Sequence, residues 1–560
     1  MDNPYEHLRL AAGQQSLFGR TIEQSEIIDL ISKYPASQWL DLFAKIEGFL
    51  VIQRDKNFDS QTYLAGEIFC PSALQRTQRP AYAKNIYFSL GQLNLARKLA
   101  IAYGSNESPI EMSKIDATKV LLGVHDLHLG YDDVNISEDL DKFSRFVIRN
   151  GYLNGDTDSA GIFSRSYRIY AELEDKTPLD GTGKTFSELF QERVGVQLKE
   201  AIALSFALAT PFFQSLKDFW TETTIYVPSN YFRKTTIDKA LIETVIDSMS
   251  VDFDVVKATI LSEIYGKDLL AGPYGYDLSA FRKTPLIKMP DGNLICANLP
   301  CLLQKATSNV LWMPTQNVID RIEKKKLVND LTDYRGRQFE SYLRELCQEM
   351  QNLNDKQSFH YISDAKDGEF GDAILVQGNK AVIFEAKSRQ FLEKFKSTGN
   401  WSDDPHFMEE ILKAADQIDS SAETILSKYQ DRLCEAGVQL EEIYPVILMY
   451  EAVPMHGKVQ RLIREKVRES GKLVKGTFKP LEVISIKEIE AYMDMANTLT
   501  FIELLERKHS DGPHADEASL YNYICDLTSK EIVISNGWGR RQYDKFANDV
   551  LENFFKGKFL

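Results

Sequence analysis

Apolar residues recur at three-to-four spacing over residues 22–34, 39–52, 186–209 and 236–248, a period that predicts amphipathic helices through most of the first 330 positions. Within that stretch TPLIKMPDGNLIC, residues 284–296, reads as a hairpin, because Pro290-Asp291-Gly292 has turn chemistry between two apolar segments. The texture changes past Lys324-Lys325-Lys326. Residues 335–351 place Phe339, Leu343, Leu346, Cys347 and Met350 on one helical face. Three short β-like segments follow at 358–362, 372–377 and 381–386, then a helical stretch at 405–436 and the apolar strand YPVILMYEAV at 444–453. A helix at 458–470 and a strand at 481–486 extend the sheet, and helices at 489–507 and 543–555 close the chain. The expected architecture is an α/β core with a mixed sheet (helix, three strands, helix, strand) at 331–490. It follows a mainly α-helical N-terminal region at 1–330, with room for two subdomains, and precedes a helical extension at 491–560.

Composition narrows the class. With 560 residues, 43% hydrophobic and 26% charged, the chain is of ordinary globular make-up, and at ~100–200 residues per domain it holds several domains. The opening MDNPYEHLRLAAGQQ lacks a basic segment followed by an apolar one, so export is not expected. The apolar run at 201–213 contains Ser205, Thr210 and Pro211 and is too short to span a bilayer. Cys70, Cys296, Cys301, Cys347, Cys434 and Cys525 are scattered without a zinc-like quartet, which fits reduced thiols in a cytoplasm. A net charge of −15 opposes nucleic-acid binding through overall charge, so any such site has to be a local patch.

The chemistry concentrates in GDAILVQGNKAVIFEAKS, residues 371–388. Gly378-Asn379 is a two-residue pair favoured in tight hairpins. Pairing Gln377 with Lys380 brings Asp372 opposite Glu385 across the ladder, and period-two alternation puts Lys387 on the same face as Glu385. Like charges placed opposite each other destabilise a sheet, and a divalent cation is the natural compensation. The neighbours Ala373 to Val376 and Ala381 to Phe384 are apolar, as in strands covered on both sides. Asp364, Asp367 and Glu369 compete for the role of Asp372 and read as a polar loop.

This pattern, with Glu340 on the preceding helix, resembles the PD-(D/E)xK (restriction-endonuclease-like) nuclease superfamily over about residues 331–490. The strand acid stands as Gly371-Asp372 rather than Pro-Asp, and the second half as Glu385-Ala386-Lys387. The helix acid corresponds to Glu340 in GRQFESYL, and a Gln found in some subfamilies to Gln417 in AADQI. The resemblance implies a Mg²⁺- or Mn²⁺-dependent endonuclease. Asp372, Glu385 and the Ala386 carbonyl would hold the metal, Glu340 would support it or a second ion, and Lys387 would orient the nucleophile or stabilise charge at phosphorus. It also implies nucleic acid as partner, DNA before RNA, a homodimer or a partner protein, and a bacterial anti-phage or restriction role. Two other readings stay open: a nuclease-like module that binds nucleic acid or protein without cutting, and a nuclease acting on RNA or in repair or transposition.

Several other features read as structural. Tyr334-Arg335-Gly336-Arg337, Arg389, Lys394 and Lys396 lie near the proposed centre as phosphate contacts or as solvated charges. His125 and His128 share a helical spacing but lack a third ligand, so they are expected to be helix-surface or core histidines. Gly183-Lys184-Thr185 ends like a phosphate loop, but Pro178 stands where the motif should open.

Overall fold

A computed structural model describes residues 10–11, 14–52, 59–77, 86–105, 110–131, 140–154, 158–173, 176–213, 227–228, 231–232, 235, 237–316, 318–364, 368–451, 457–530 and 535–555. The chain is mostly helical, with a five-stranded mixed sheet in its C-terminal half and a small three-stranded sheet before it. The small sheet pairs Ser250–Asp252 in parallel with Leu286–Lys288, which turns back on Leu294–Cys296 as the expected hairpin. Among the described residues no helix is long and apolar enough to cross a membrane, and all six cysteines are free thiols.

The large sheet holds β1 (Ser358–His360), β2 (Ala373–Gln377), β3 (Lys380–Lys387), β4 (Glu442–Met449) and β5 (Glu482–Ser485), in the spatial order β5-β4-β3-β2-β1. The first three form an antiparallel meander, and β3, β4 and β5 run parallel. Gly378 takes φ +59 at the first central position of the β2–β3 turn, which suits a type II′ hairpin and fixes Gln377 against Lys380.

Two helices cover the sheet. The first, α1 (Arg321–Leu353), is 33 residues long. It starts well before the expected 335, because Asp320 caps it by accepting from the backbone of Ile322 and Glu323. It passes residue 330 without a break. Phe339, Leu343, Leu346 and Met350 pack with Leu375, Val382 and Phe384, and full burial of each such side chain contributes about 1.5–3 kcal/mol. On the opposite face α2 (His406–Thr424) sets Ile411, Ala414, Ala415 and Ile418 against Ile374, Val376, Ala381 and Ile383.

Other expected helices are shorter than their periodicity suggests. The pattern at 186–209 divides into Phe186–Val194 and Leu198–Ala209, because Gly195 ends the first in the left-handed region. The pattern at 489–507 divides into Ile486–Met493 and Phe501–Ser510, the second opened by a Thr500–Glu503 capping box. The stretch at 405–436 passes from α2 into a π-helical turn, Ile425–Tyr429. Residues 452 and 453 of the expected fourth strand, and Asp367, lie outside the described residues. Asp364 and Glu369 belong to a short two-stranded ladder of their own.

One cluster joins Phe163, Phe186 and Leu204 to Tyr334, Phe384 and Val550, so the later N-terminal helices share a core with one face of the sheet. A second cluster, from Leu17 to Cys301, fills the earlier helices.

Candidate active site

Side-chain alternation decides what meets at the end of the hairpin. Ile374, Val376, Ala381 and Ile383 point toward α2, so Glu385 and Lys387 point the same way. The ladder stops at Ala373 opposite Phe384, one pair short of Asp372. Gly371 stands just beyond that end. Its φ is +66, and a Cβ there would lie 2.9 Å from the Ile383 side chain and 3.3 Å from the Phe384 carbonyl. Proline, fixed near −65°, cannot take that conformation, so a glycine suits this position where a proline would not. The Asp372 amide donates to the Phe384 carbonyl at 2.9 Å. Its carboxylate folds over the strand end and accepts from the Ala386 amide at 2.6 Å.

Glu385 is 6% exposed. Burial first, and then the neighbouring Asp372 and Glu340 carboxylates, push its carboxyl up to about 7, although Lys387 works against them. Lys387 Nζ donates to Glu385 Oε1 at 2.7 Å and to Gln417 Oε1 at 2.7 Å. Gln417 reaches it from α2, on the face that covers the hairpin. On α1, Arg344 Nη2 pairs with Glu340 Oε2 at 3.3 Å, and its Nε donates to the Asp372 carbonyl at 3.1 Å. Glu340 therefore makes the helix salt bridge that its spacing allows and also faces the strand acids. The five residues singled out in the sequence, Asp372, Glu385, Lys387, Glu340 and Gln417, come together in space.

Most of the flanking basic residues are engaged elsewhere. Arg335 is 4% exposed, with its guanidinium 5.2 Å from the Trp312 ring, so it does not meet solvent phosphate. Arg389 pairs with Asp404, Lys394 with Asp403 and Lys396 with Glu451. His125 and His128 are core histidines. Burial holds both largely neutral, lowering them to about 4 and about 3, and His128 packs on Tyr276. Thr185 caps the helix that follows it, and Lys184 pairs with Glu192.

Sequence reasoning missed a second acidic cluster. Glu482, His509 and Asp516 bring ligand-type atoms within 4.8 Å of one another. Their charges are already balanced: Glu482 accepts from Arg464 at 2.7 Å and from Lys508 at 2.9 Å, while Asp516 pairs with Arg464 and His509, each at 2.7 Å. Burial opposes ionisation of Asp516, but His509 and Arg464 hold its carboxyl well below the usual range. The cluster is an ion-pair network joining β5 to the helix before it, Gly457–Glu469, and to the helices after it, and no motif spacing announces it. No family model, curated protein or solved structure matches this chain.

Proposed function

We propose that the chain is a metal-dependent nuclease of the PD-(D/E)xK type, hydrolysing phosphodiester bonds at the Asp372–Glu385–Lys387 centre. One observation carries the reading: Glu385, almost fully buried, shares its end of the hairpin with Asp372 and Glu340, and one ammonium beside it does not offset them. A fold without use for a cation has no reason to keep such a group.

The donor set suits a hard divalent ion. Asp372, Glu385 and the Ala386 carbonyl are oxygen ligands, the kind Mg²⁺ and Mn²⁺ take, and Glu340 is placed to join them. When bound, such an ion supplies Lewis acidity and a nucleophile at neutral pH. The remaining work falls to the chain itself. Gln417 holds the Lys387 ammonium in place, where it orients water toward phosphorus and stabilises charge growing on the phosphoryl oxygens. Arg344 fixes Glu340 and the Asp372 backbone relative to each other, and the walls of Ile374, Ile383 and Ile418 restrict water behind the carboxylates.

The substrate proposed is DNA, and the role a bacterial anti-phage or restriction effector, acting as a homodimer or with a partner protein. The test is cleavage of plasmid DNA, linear DNA and single-stranded RNA by the full chain in Mg²⁺, Mn²⁺ or EDTA, beside Lys387→Ala and Glu385→Ala. Metal-dependent cutting lost in both variants is expected; cutting of RNA only would reassign the substrate. Absence of cutting and of metal binding in the wild type would leave the silent binding module, which the net charge of −15 favours. For the defence role, equal phage resistance conferred by wild type and Lys387→Ala would overturn it.

A further inference from the structure

A cavity of about 1230 Å³ lies between the N-terminal helices and the carboxyl ends of β4 and β5, in the position where open α/β sheets commonly bind ligands. It is larger than the ~300–1,000 Å³ usual for small-molecule sites. Asp372, Glu385, Lys387, Glu340 and Gln417 are not among its lining residues, so it is separate from the proposed nuclease centre. The face of α1 that it touches carries Tyr342, Glu345 and Glu349 rather than Glu340.

The charges on one side of this cavity do not balance. Arg282 pairs with Glu393, and Lys396 with Glu451 at 2.6 Å, so those two cations already have partners. Lys305 remains. It is 4% exposed, lines the cavity, and makes no hydrogen bond or ion pair among the described residues. Lys283, on the same wall, repels it. Burial and that repulsion bring the Lys305 amine down to about 8, so it is still mostly charged at neutral pH. A second polar group lining the cavity is also unsatisfied: the Tyr152 hydroxyl is buried without a hydrogen-bond partner. Burial keeps that phenol protonated, and therefore a donor. An unpaired ammonium on a largely buried side chain is costly, and a buried hydroxyl left unbonded adds to that cost. A molecule with several acceptor oxygens answers both, and Trp312 also lines the cavity.

We propose that this cavity binds a small phosphate-bearing molecule of about nucleotide size, with Lys305 and Lys283 taking its phosphate and Tyr152 donating to it.

The test is a thermal melt of the full chain in EDTA, which removes metal effects, with ATP and with inorganic tripolyphosphate as probes. Both are expected to raise the melting temperature of the wild type. Equal shifts assign the contact to phosphate, and a larger ATP shift adds the ring. Lys305→Met, which removes an unpaired buried charge at nearly constant volume, is expected to melt no lower than wild type without ligand. Its apparent affinity for either probe is expected to fall on the order of tenfold or more. Lys283 is exposed, so Lys283→Ala folds whatever Lys305→Met does, and it is expected to weaken ATP binding severalfold. The proposal is overturned if neither probe shifts the wild type, if the Lys305→Met shift equals that of wild type, or if Lys283→Ala binds ATP unchanged. It is equally overturned if a single-stranded oligonucleotide stabilises the protein while both small anions do not, since the cavity would then be a nucleic-acid channel.

Discussion

Glu482 and Glu385 stand two strands apart in one sheet, 2% and 6% exposed, yet their surroundings are opposite. Glu482 meets Arg464 and Lys508, and its acidic neighbour Asp516 meets His509 and shares Arg464 with it. Glu385 meets one ammonium and two further carboxylates. Burial is therefore a poor guide to function in this molecule, and the local sum of charge is a better one. A neutralised cluster fastens β5 to the helices behind it. An unneutralised one is where we propose that a cation binds.

The largest expected effect tests the first half of that contrast. Glu482→Ala strands Lys508, which is fully buried, and is expected to cost about 3–5 kcal/mol in urea unfolding. Cleavage per folded molecule should be untouched; a loss below 1 kcal/mol would show that the network is not structural. Next comes the converse, Lys387→Ala, which is expected to lower cleavage on the order of a hundred- to a thousandfold with little change in the urea midpoint. If Lys387→Ala unfolds the protein while Glu482→Ala does not, the two clusters have been assigned the wrong way round.

Mn²⁺ sharpens the contrast further. At about a hundredfold above its Kd it is expected to stabilise the wild type by about 2.7 kcal/mol, an increment that Asp372→Ala removes and that is tracked by melts with and without metal. The smallest effect is on pH dependence. Folding raises the Glu385 carboxyl from its ordinary 4.5 to about 7, so its contribution to stability is fully present below about 4.5 and is lost as pH rises through about 7. In EDTA, the urea midpoint of wild type is expected to decline more between pH 5 and pH 8 than that of Glu385→Gln. Parallel declines would mean that burial and the Asp372 and Glu340 carboxylates together do not raise the Glu385 carboxyl.

The hairpin was legible in the sequence because its register depends on local facts: a Gly-Asn turn, period-two alternation and apolar neighbours on both sides. Those place Glu385 and Lys387, and the helical period of residues 405–436 places Gln417. Where the hairpin ladder ends was not legible, since the chain leaves the strand at Gly371, whose positive φ no local pattern announces. Helix limits at Asp320 and Thr500 were missed because a single capping side chain outweighs several residues of hydrophobic pattern. The Glu482 network and the Lys305 wall join residues far apart in the chain, on elements with no shared spacing, so only the packed chain brings them into view.

The unbroken helix from Arg321 to Leu353 also couples the two parts of the protein in angular phase. At about 1.5 Å per residue it is a rod roughly 50 Å long. Its first turns lie against the N-terminal helices, with Arg193 pairing to Glu323, and its later turns carry Glu340. One inserted residue near position 325 rotates everything beyond it by about 100°, whereas seven restore the phase to within about 20°. Chains related to this one by descent are therefore expected to vary the length of this helix in steps of seven or eleven residues, and to vary their surface loops freely.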